Sequence, residues 1–532
     1  MRLRNISLLT VLLFLTAALA QGPEYDLLIR NGRIVDGAGN SWYRADLAVK
    51  GDSIVLIAPR ISAAVGREID AGGNIVAPGF IDIHTHASRG ILTIPTADNY
   101  VRQGVTTILE GPDGGSPLPL KNFLDRVAAV HPVPNFGMFV GQGSAREHVI
   151  GNVDRKATPQ EIDQMRELVR QGMLDGAFGL STGLFYVPGI FTPTEEVIEL
   201  AKVAGAMGGM HQSHMRNEAA GVVDSVRETI AIGELGGLPT QVTHHKIIGV
   251  HNWGKSAETL KLVEEARARG VDATIDQYPY TASSTGLNAL LPPWALDGGQ
   301  RETVKRLADP ATRAKIRAIV ADNIENDRGG GDPKNIVIAN CPWNPSLAGK
   351  NLRQITGDRG REVTMDSASE TALEIIEKGG AQTVFHAISE DDLQRILKFP
   401  WTMIASDGEV PTFGKAAPHP RSYGTFVRVL GVYVREKKVL TLEDAVRKMT
   451  SFPAQRLRLL DRGLLRPGMK ADIVIFDPAT VKDKATFENP HQYAEGIAQV
   501  IVNGQVVYEG GQMTDRRPGR ILYGPAHQAA SR

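Results

Sequence analysis

Hydrophobic and polar positions follow two different periods along this chain. Residues 25–78 carry short alternating runs broken by turn signals, as in YDLLIRNGRIVDG and DLAVKGDSIVLIAP. Alternation with period two marks strands with one buried face, and Asn31-Gly32 reads as a two-residue hairpin turn. Residues 464–510 return to this texture in LLRPGMKADIVIFDP and AQVIVNGQVVYEGG, with a second such signal at Asn503-Gly504. Two β-rich ends flanking a long centre predict a small β-sandwich domain assembled from residues 21–78 and 456–532.

The centre, residues 79–455, alternates strand-like with helix-like segments. The strand-like ones are GFIDIH, GVTTILE (104–110), NFGMFVG (135–141), GAFGLST (176–182), GGMHQSH (208–214), PTQVTHH (239–245), VDATIDQYPY (271–280) and WTMIASD (401–407). Helical periodicity fills the gaps in TPQEIDQMRELVRQGM, TPTEEVIELAKVAGAMG, DSVRETIAIGELG and SAETLKLVEEARARG. The first of these opens on Thr158, Pro159 and Glu161, which supply an N-cap, a first-turn proline and a capping-box partner. Eight strands alternating with helices predict an α/β fold, a parallel (β/α)8 TIM barrel. Residues from about 285 to 400 exceed a normal connection, so they predict a lid-like insertion with structure of its own.

Charge and composition narrow the class. Lys+Arg and Asp+Glu are both 59, which gives no basic surface for nucleic acid. Residues 1–20 are read as a signal peptide: Arg2 and Arg4 precede an apolar stretch from Ile6 to Leu19, too short for a comfortable membrane span, and Ala18-Leu19-Ala20 is a small-x-small site. Cleavage is expected after Ala20, leaving a periplasmic or secreted protein with no membrane segment. The single cysteine, Cys341, excludes an internal disulfide.

Chemistry in a barrel sits where strands end and loops begin. Here those ends carry His84 and His86, then Glu110 with Asp113 in the following turn, then His214, His244-His245 with Lys246, and Asp407. His84 and His86 would share one face of their strand, with Ile81 and Ile83 on the other. Imidazoles and carboxylates gathered on one rim outline a divalent-metal site.

The ordered motifs PGFIDIHTH, GLSTGLFYVPG, HQSHMRNEA, VTHHKIIG, DQYPYTASS, ASDG and PHPRSYGTF resemble the amidohydrolase superfamily and, within it, the D-aminoacylase (N-acyl-D-amino-acid deacylase) family. The resemblance covers nearly all of the chain after the signal peptide. It implies one or two Zn2+ ions, with His84, His86 and Asp407 at one position and His214 and His244 at the other. Strand parity alone leaves His244 and His245 equivalent. His211, His245 and His251 are then structural or supporting. The family's metal-binding cysteine after strand two is missing, since the turn reads Pro112-Asp113-Gly114; Glu110 is the expected replacement ligand and Asp113 the alternative. GAFGLSTG has no lysine, which argues against the branches that bridge metals with a carbamylated lysine.

The resemblance also implies a linear amide substrate with a free carboxylate and the D configuration. Asp407 would move the proton between water and leaving amine, and Tyr186 would stabilise the carbonyl oxygen. Lys246, Tyr278, Ser284 and Arg421 would grip the carboxylate. The loop TASSTGLNALLPPWALDGGQ has no Arg or Lys but carries Leu287, Leu290, Leu291 and Trp294. It predicts a preference for apolar D-amino acids, with Arg301 just beyond as the residue that could reverse it. The competing readings are another small-amide hydrolase (a dipeptidase, or a cyclic-amide or enamide hydrolase) and a non-catalytic zinc-binding protein of the cell envelope.

Overall fold

The computed structural model describes residues 23–527, so the expected signal peptide lies outside the described residues. Its centre is a ring of parallel strands: β1 (Phe80–Asp82), β2 (Val105–Glu110), β3 (Asn135–Met138), β4 (Gly179–Gly183), β5 (Met210–His214), β6 (Thr240–Val242), β7 (Ala273–Gln277) and β8 (Thr402–Ile404). β1 to β3 pair in parallel in turn, and so do β4 to β8. Past β3 the chain continues through Phe139, whose N–H donates to Glu110 O at 2.8 Å, into Val140–Gly141, which pairs with β4. The ring closes where Asp407 N–H donates to His84 O at 2.9 Å and Gly408 pairs with Thr85.

Helices follow the strands as the periodicity predicts. Pro159–Asp175 starts on the expected capping box: Thr158 Oγ1 accepts from Glu161 N at 3.3 Å and Glu161 Oε2 from Thr158 N at 2.8 Å. Thr194–Ala206, Val222–Gly236 and Ser256–Ala268 continue the outer layer. Glu390–Lys398 packs against Ser256–Ala268 and is a barrel helix, so the insertion ends before residue 390 rather than near 400.

The insertion is a folded unit. Its antiparallel sheet joins Ser283–Gly286, Ile336–Asn340 and Gln382–Phe385. Helices Pro310–Asn326 and Met365–Glu377 cover it over a core of its own, built from Leu287, Leu290, Ile316, Val320, Ile338 and Phe385.

Both chain ends enter one nine-stranded sheet. Ile75–Pro78 and Ile473–Phe476 pair antiparallel at the join. Period two sorts their side chains: Val76, Ile473 and Ile475 fill the sheet's own core, while Ile75, Ala77, Val474 and Phe476 join the large core shared with the barrel. The sheet curls until its turns meet, with Ile54 N–H bonded to Met469 O at 2.8 Å. Asn503-Gly504 is the expected two-residue hairpin turn between Ile497–Val502 and Gln505–Glu509. Asn31-Gly32 is not a hairpin. It lies inside the strand Tyr25–Ile34, where the register against Tyr43–Lys50 shifts by one residue, so its left-handed asparagine (φ +56°) marks a bulge. Among the described residues no helix is long and apolar enough to cross a membrane.

Candidate metal centre

The strand carrying the first two histidines does not run straight through them. β1 stops at Asp82, Ile83 and His84 bend, and Thr85–His86 resume as a two-residue strand beside Gly408–Glu409. Asp82 pins the bend, its Oδ1 accepting from His84 N at 3.3 Å and Ser406 N at 3.0 Å. The two imidazoles still converge: His84 Nε2 and His86 Nε2 lie 3.7 and 3.1 Å from Asp407 Oδ1.

The acid that meets them from β2 is Asp113, not Glu110. Glu110 ends its strand turned aside, accepting hydrogen bonds from Ser88 N at 2.7 Å and Ser88 Oγ at 3.1 Å. Gly111 (φ +82°) and Asp113 (φ +56°) then take left-handed backbone, folding the Asp113 carboxylate back over the barrel mouth. It lies 3.5 Å from His84 Nε2, 3.4 Å from His86 Nε2, 3.5 Å from His244 Nε2 and 3.7 Å from His214 Nδ1.

Two groups of ligand-type atoms result, each within 4.8 Å: His84, His86, Asp113 and Asp407, and then Asp113, His214 and His244. Asp113 belongs to both. His214 Nδ1 and His244 Nε2 are 2.8 Å apart, within hydrogen-bond distance of each other. His84 Nδ1 and Nε2, His214 Nε2 and Asp113 Oδ1 are buried without a hydrogen-bond partner. Buried polar atoms are normally paired, and His84 Nε2 and Asp113 Oδ1, both unpartnered and 3.5 Å apart within the first group, fit a divalent cation. Three of the converging residues, Asp113, His244 and Asp407, have positive φ, +56°, +34° and +51°. Left-handed backbone is rare outside glycine and gathers at functional sites.

The electrostatics follow from burial and proximity. Burial alone would raise Asp113 and Asp407. The His84 and His244 imidazoles hold Asp113 well below the carboxylate range, and the Arg421 guanidinium, its Nη1 2.7 Å from Oδ2, does the same for Asp407. Burial brings His214 down to about 4 against the pull of Glu218. His211 and His245 are pressed to about 3 by burial and sit in the barrel wall, bonded to Thr182 and Thr240 hydroxyls and to the Thr259 hydroxyl respectively. They do not join the cluster.

Two carboxylates that sequence reasoning passed over support the imidazoles. Glu218, buried, lies 3.3 Å from His244 Nδ1 and 3.8 Å from His214 Nε2. Its signal was the four-residue spacing from His214 within HQSHMRNEA. Asp276 accepts from His244 N at 2.7 Å and lies 3.7 Å from His84 Nδ1. Carboxylates behind ligating histidines fix ring orientation and raise ligand basicity.

A cavity of about 1270 Å³ opens over the cluster, walled by the barrel mouth and the insertion. Tyr186, Tyr278, Ser284, Lys246 and Arg421 all line it. The Tyr186 ring lies tilted against His214 with centroids 4.5 Å apart, and its hydroxyl accepts from Thr285 Oγ1 at 3.1 Å. The Tyr278 hydroxyl is buried without a partner. Lys246 and Arg421 are both ion-paired inside the protein, with Glu218 and Asp407. The loop residues expected to form an apolar pocket do not reach the cavity. Leu287, Leu290 and Leu291 are buried in the insertion's own core, Trp294 is 41% exposed, and none lines the cavity. Their spacing serves packing of the insertion. Arg301 points to solvent beside Glu302 and does not line the cavity either.

The amidohydrolase family profile matches residues 67–508. The chain is 36% identical over 526 residues to the D-aminoacylase of Alcaligenes xylosoxydans xylosoxydans, covering 94% of this chain and 98% of that one. It is 35% identical to the N-acyl-D-glutamate deacylase of the same organism, covering 94% and 96%. Among solved structures it is similar to the N-acyl-D-glutamate deacylase from Bordetella bronchiseptica complexed with zinc and a phosphonate mimic of the tetrahedral intermediate, with a TM-score of 0.81, 34% identity, and coverage of 94% and 99%.

Proposed function

The chain belongs to the amidohydrolase family, in its D-aminoacylase branch, and on that premise we propose that it hydrolyses the amide bond of N-acyl-D-amino acids with zinc as cofactor. The observation that carries this reading is Asp113, one carboxylate common to two clusters of histidines, with its own Oδ1 and the neighbouring His84 Nε2 buried without hydrogen-bond partners. His84, His86, Asp113 and Asp407 would hold one ion, and Asp113, His214 and His244 a second. Bound zinc supplies a Lewis acid and lowers the pKa of water to about 7.

The remaining steps belong to the side chains. Asp407 accepts a proton at its carboxylate and returns it to the departing amine, and the neighbouring Arg421 keeps that carboxylate ionised beforehand. The Tyr186 hydroxyl, held neutral by burial, donates a hydrogen bond to the carbonyl oxygen as charge gathers there. The cationic groups on the cavity wall favour a substrate that bears a carboxylate. The chain is exported and cleaved after Ala20, a reading supported by Arg2, Arg4 and Ala18-Leu19-Ala20.

The test is acetate release from paired N-acetyl-D- and N-acetyl-L-amino acids by the purified protein, with zinc measured on the same samples. Release from the D series with zinc bound is expected. A zinc-loaded protein that hydrolyses neither series, or prefers the L series, refutes the reading.

A further inference from the structure

The Tyr186 hydroxyl is fixed in place by its own loop but not in direction. Tyr186 follows β4, where its N–H donates to Gly183 O at 3.1 Å and its carbonyl accepts from Ile190 N at 2.8 Å. Its ring meets the His214 ring at 4.5 Å and the Phe185 ring at 5.3 Å between centroids. A Cβ on Gly183 would come within 3.2 Å of Tyr186 Cδ2, so the loop closes tightly on the ring. This packing sets where the phenol oxygen sits. It does not set the hydrogen, because a hydroxyl rotates about its C–O bond and can donate or accept.

A second hydroxyl is placed to set it. Among the described residues the one hydrogen bond of the Tyr186 hydroxyl is with Thr285 Oγ1 at 3.1 Å, and Thr285 Oγ1 has no other partner. Both residues line the cavity over the metal cluster. Thr285 comes from the insertion, in the strand Ser283–Gly286, where it pairs with Thr383. That strand is tied down on both sides: Ile388 N–H donates to Thr281 O at 3.2 Å, and Leu287 N–H donates to Ala381 O at 2.9 Å, with the Leu287 side chain buried in the insertion's own core. The direction of the bond decides what Tyr186 can do. If the phenol gives its hydrogen to Thr285, it has none for a substrate. If Thr285 gives its hydrogen to the phenol oxygen, the phenol hydrogen is free to reach a carbonyl oxygen, and a hydroxyl that accepts one hydrogen bond donates a stronger one. Once a carbonyl oxygen accepts from Tyr186, only this second direction keeps the bond to Thr285.

We propose that Thr285 is a positioning residue for Tyr186: its hydroxyl donates to the phenol oxygen and turns the phenol hydrogen toward the carbonyl of the amide that is cleaved. Stabilisation of that carbonyl oxygen is then complete only when the insertion sits on the barrel. This rests on the N-acyl-amino-acid reading. The rival is a plain fastening of insertion to barrel, which would leave the rate of the chemical step alone.

The experiment is a double-mutant cycle of Thr285→Val, Tyr186→Phe and the two together, with Thr285→Ser beside them. Each is assayed on the N-acetyl-D-amino acid that wild type hydrolyses fastest, and zinc content and thermal unfolding are measured on the same samples. Tyr186→Phe should lower kcat about 100-fold, the scale of one lost donor to a developing oxyanion. Thr285→Val, nearly equal in size, should lower kcat about tenfold, leave KM within about twofold and keep its zinc. Added to Tyr186→Phe it should change kcat by less than about twofold, because the hydrogen it directs is already gone. Thr285→Ser keeps the hydroxyl and should keep most of the rate. The proposal is overturned if Thr285→Val leaves kcat unchanged, if its loss is as large without the Tyr186 hydroxyl as with it, or if Thr285→Ser is no better than Thr285→Val. If wild type hydrolyses no such compound, the activity reading falls separately. Protein labelled with carbon-13 at tyrosine Cζ then decides on Thr285. The resonance missing from Tyr186→Phe belongs to Tyr186; it should move in Thr285→Val and hold its place in Thr285→Ser, and a resonance unmoved by Thr285→Val refutes the role.

Discussion

Replacing Asp113 with asparagine removes one charge and almost no volume from the point where the two clusters meet. Its carboxylate lies within 3.4–3.7 Å of nitrogens on four histidines. A carboxylate one shell behind a metal ligand typically contributes 10–100-fold in affinity. Asp113 is positioned to bind directly, so the loss should exceed about 100-fold, or about 2.7 kcal/mol. Because it belongs to both clusters, both zinc ions should weaken together, whereas Asp407→Asn should loosen one and His214→Ala the other. Glu110 reaches the cluster only through Ser88, so Glu110→Gln should stay within about tenfold of wild type, at the lower end of that range. Titrating the metal-free proteins with zinc against a chelator of known affinity gives stoichiometry and Kd directly. Wild-type stoichiometry and affinity in Asp113→Asn, or zinc loss confined to Glu110→Gln, would refute the assignment of the shared ligand.

Two further outcomes test the fold around the site. Leu290→Ala should cost about 2–5 kcal/mol in the insertion's core and leave the rate ratio between N-acetyl-D-leucine and N-acetyl-D-glutamate unchanged; denaturant melts and paired kinetics check this, and a shifted ratio would return Leu290 to the substrate pocket. Lys448 is buried beneath the barrel, donating to Phe399 O and Thr402 O, and burial pushes its amine down to about 8 against the pull of Asp444. The unfolded chain, near 10.5, binds more protons between those values, so this group's contribution to stability rises with pH from about 8 to 10.5. Lys448→Met should flatten that rise relative to wild type by about 3 kcal/mol, read from urea melts at pH 7 and pH 10.5; identical slopes would refute it.

The convergence of His84, His86, His214, His244 and Asp407 could be read from the chain because barrel topology brings strand ends to one rim whatever their separation in sequence. The choice between Glu110 and Asp113 could not, because it turns on two left-handed residues, Gly111 and Asp113, that redirect a side chain after the strand has ended. The two Asn-Gly pairs show the same limit. Asn503-Gly504 makes its hairpin, whereas Asn31-Gly32 uses similar backbone freedom to bulge a continuous strand. Leu287, Leu290 and Leu291 read as pocket lining because apolar spacing says that a face is buried, not what buries it; in the folded chain Ile316, Val320 and Ile338 do so.

The sheet shared by the two chain ends fixes an order of events. Ile75–Pro78 leaves the ribosome early, but its partner Ile473–Phe476 is made near the end of synthesis. At about 5–20 residues per second, tens of seconds separate them. Through that time the early strands have an open edge, the kind of surface that invites wrong pairing. A prematurely terminated product lacks half of the sheet and cannot pass as finished.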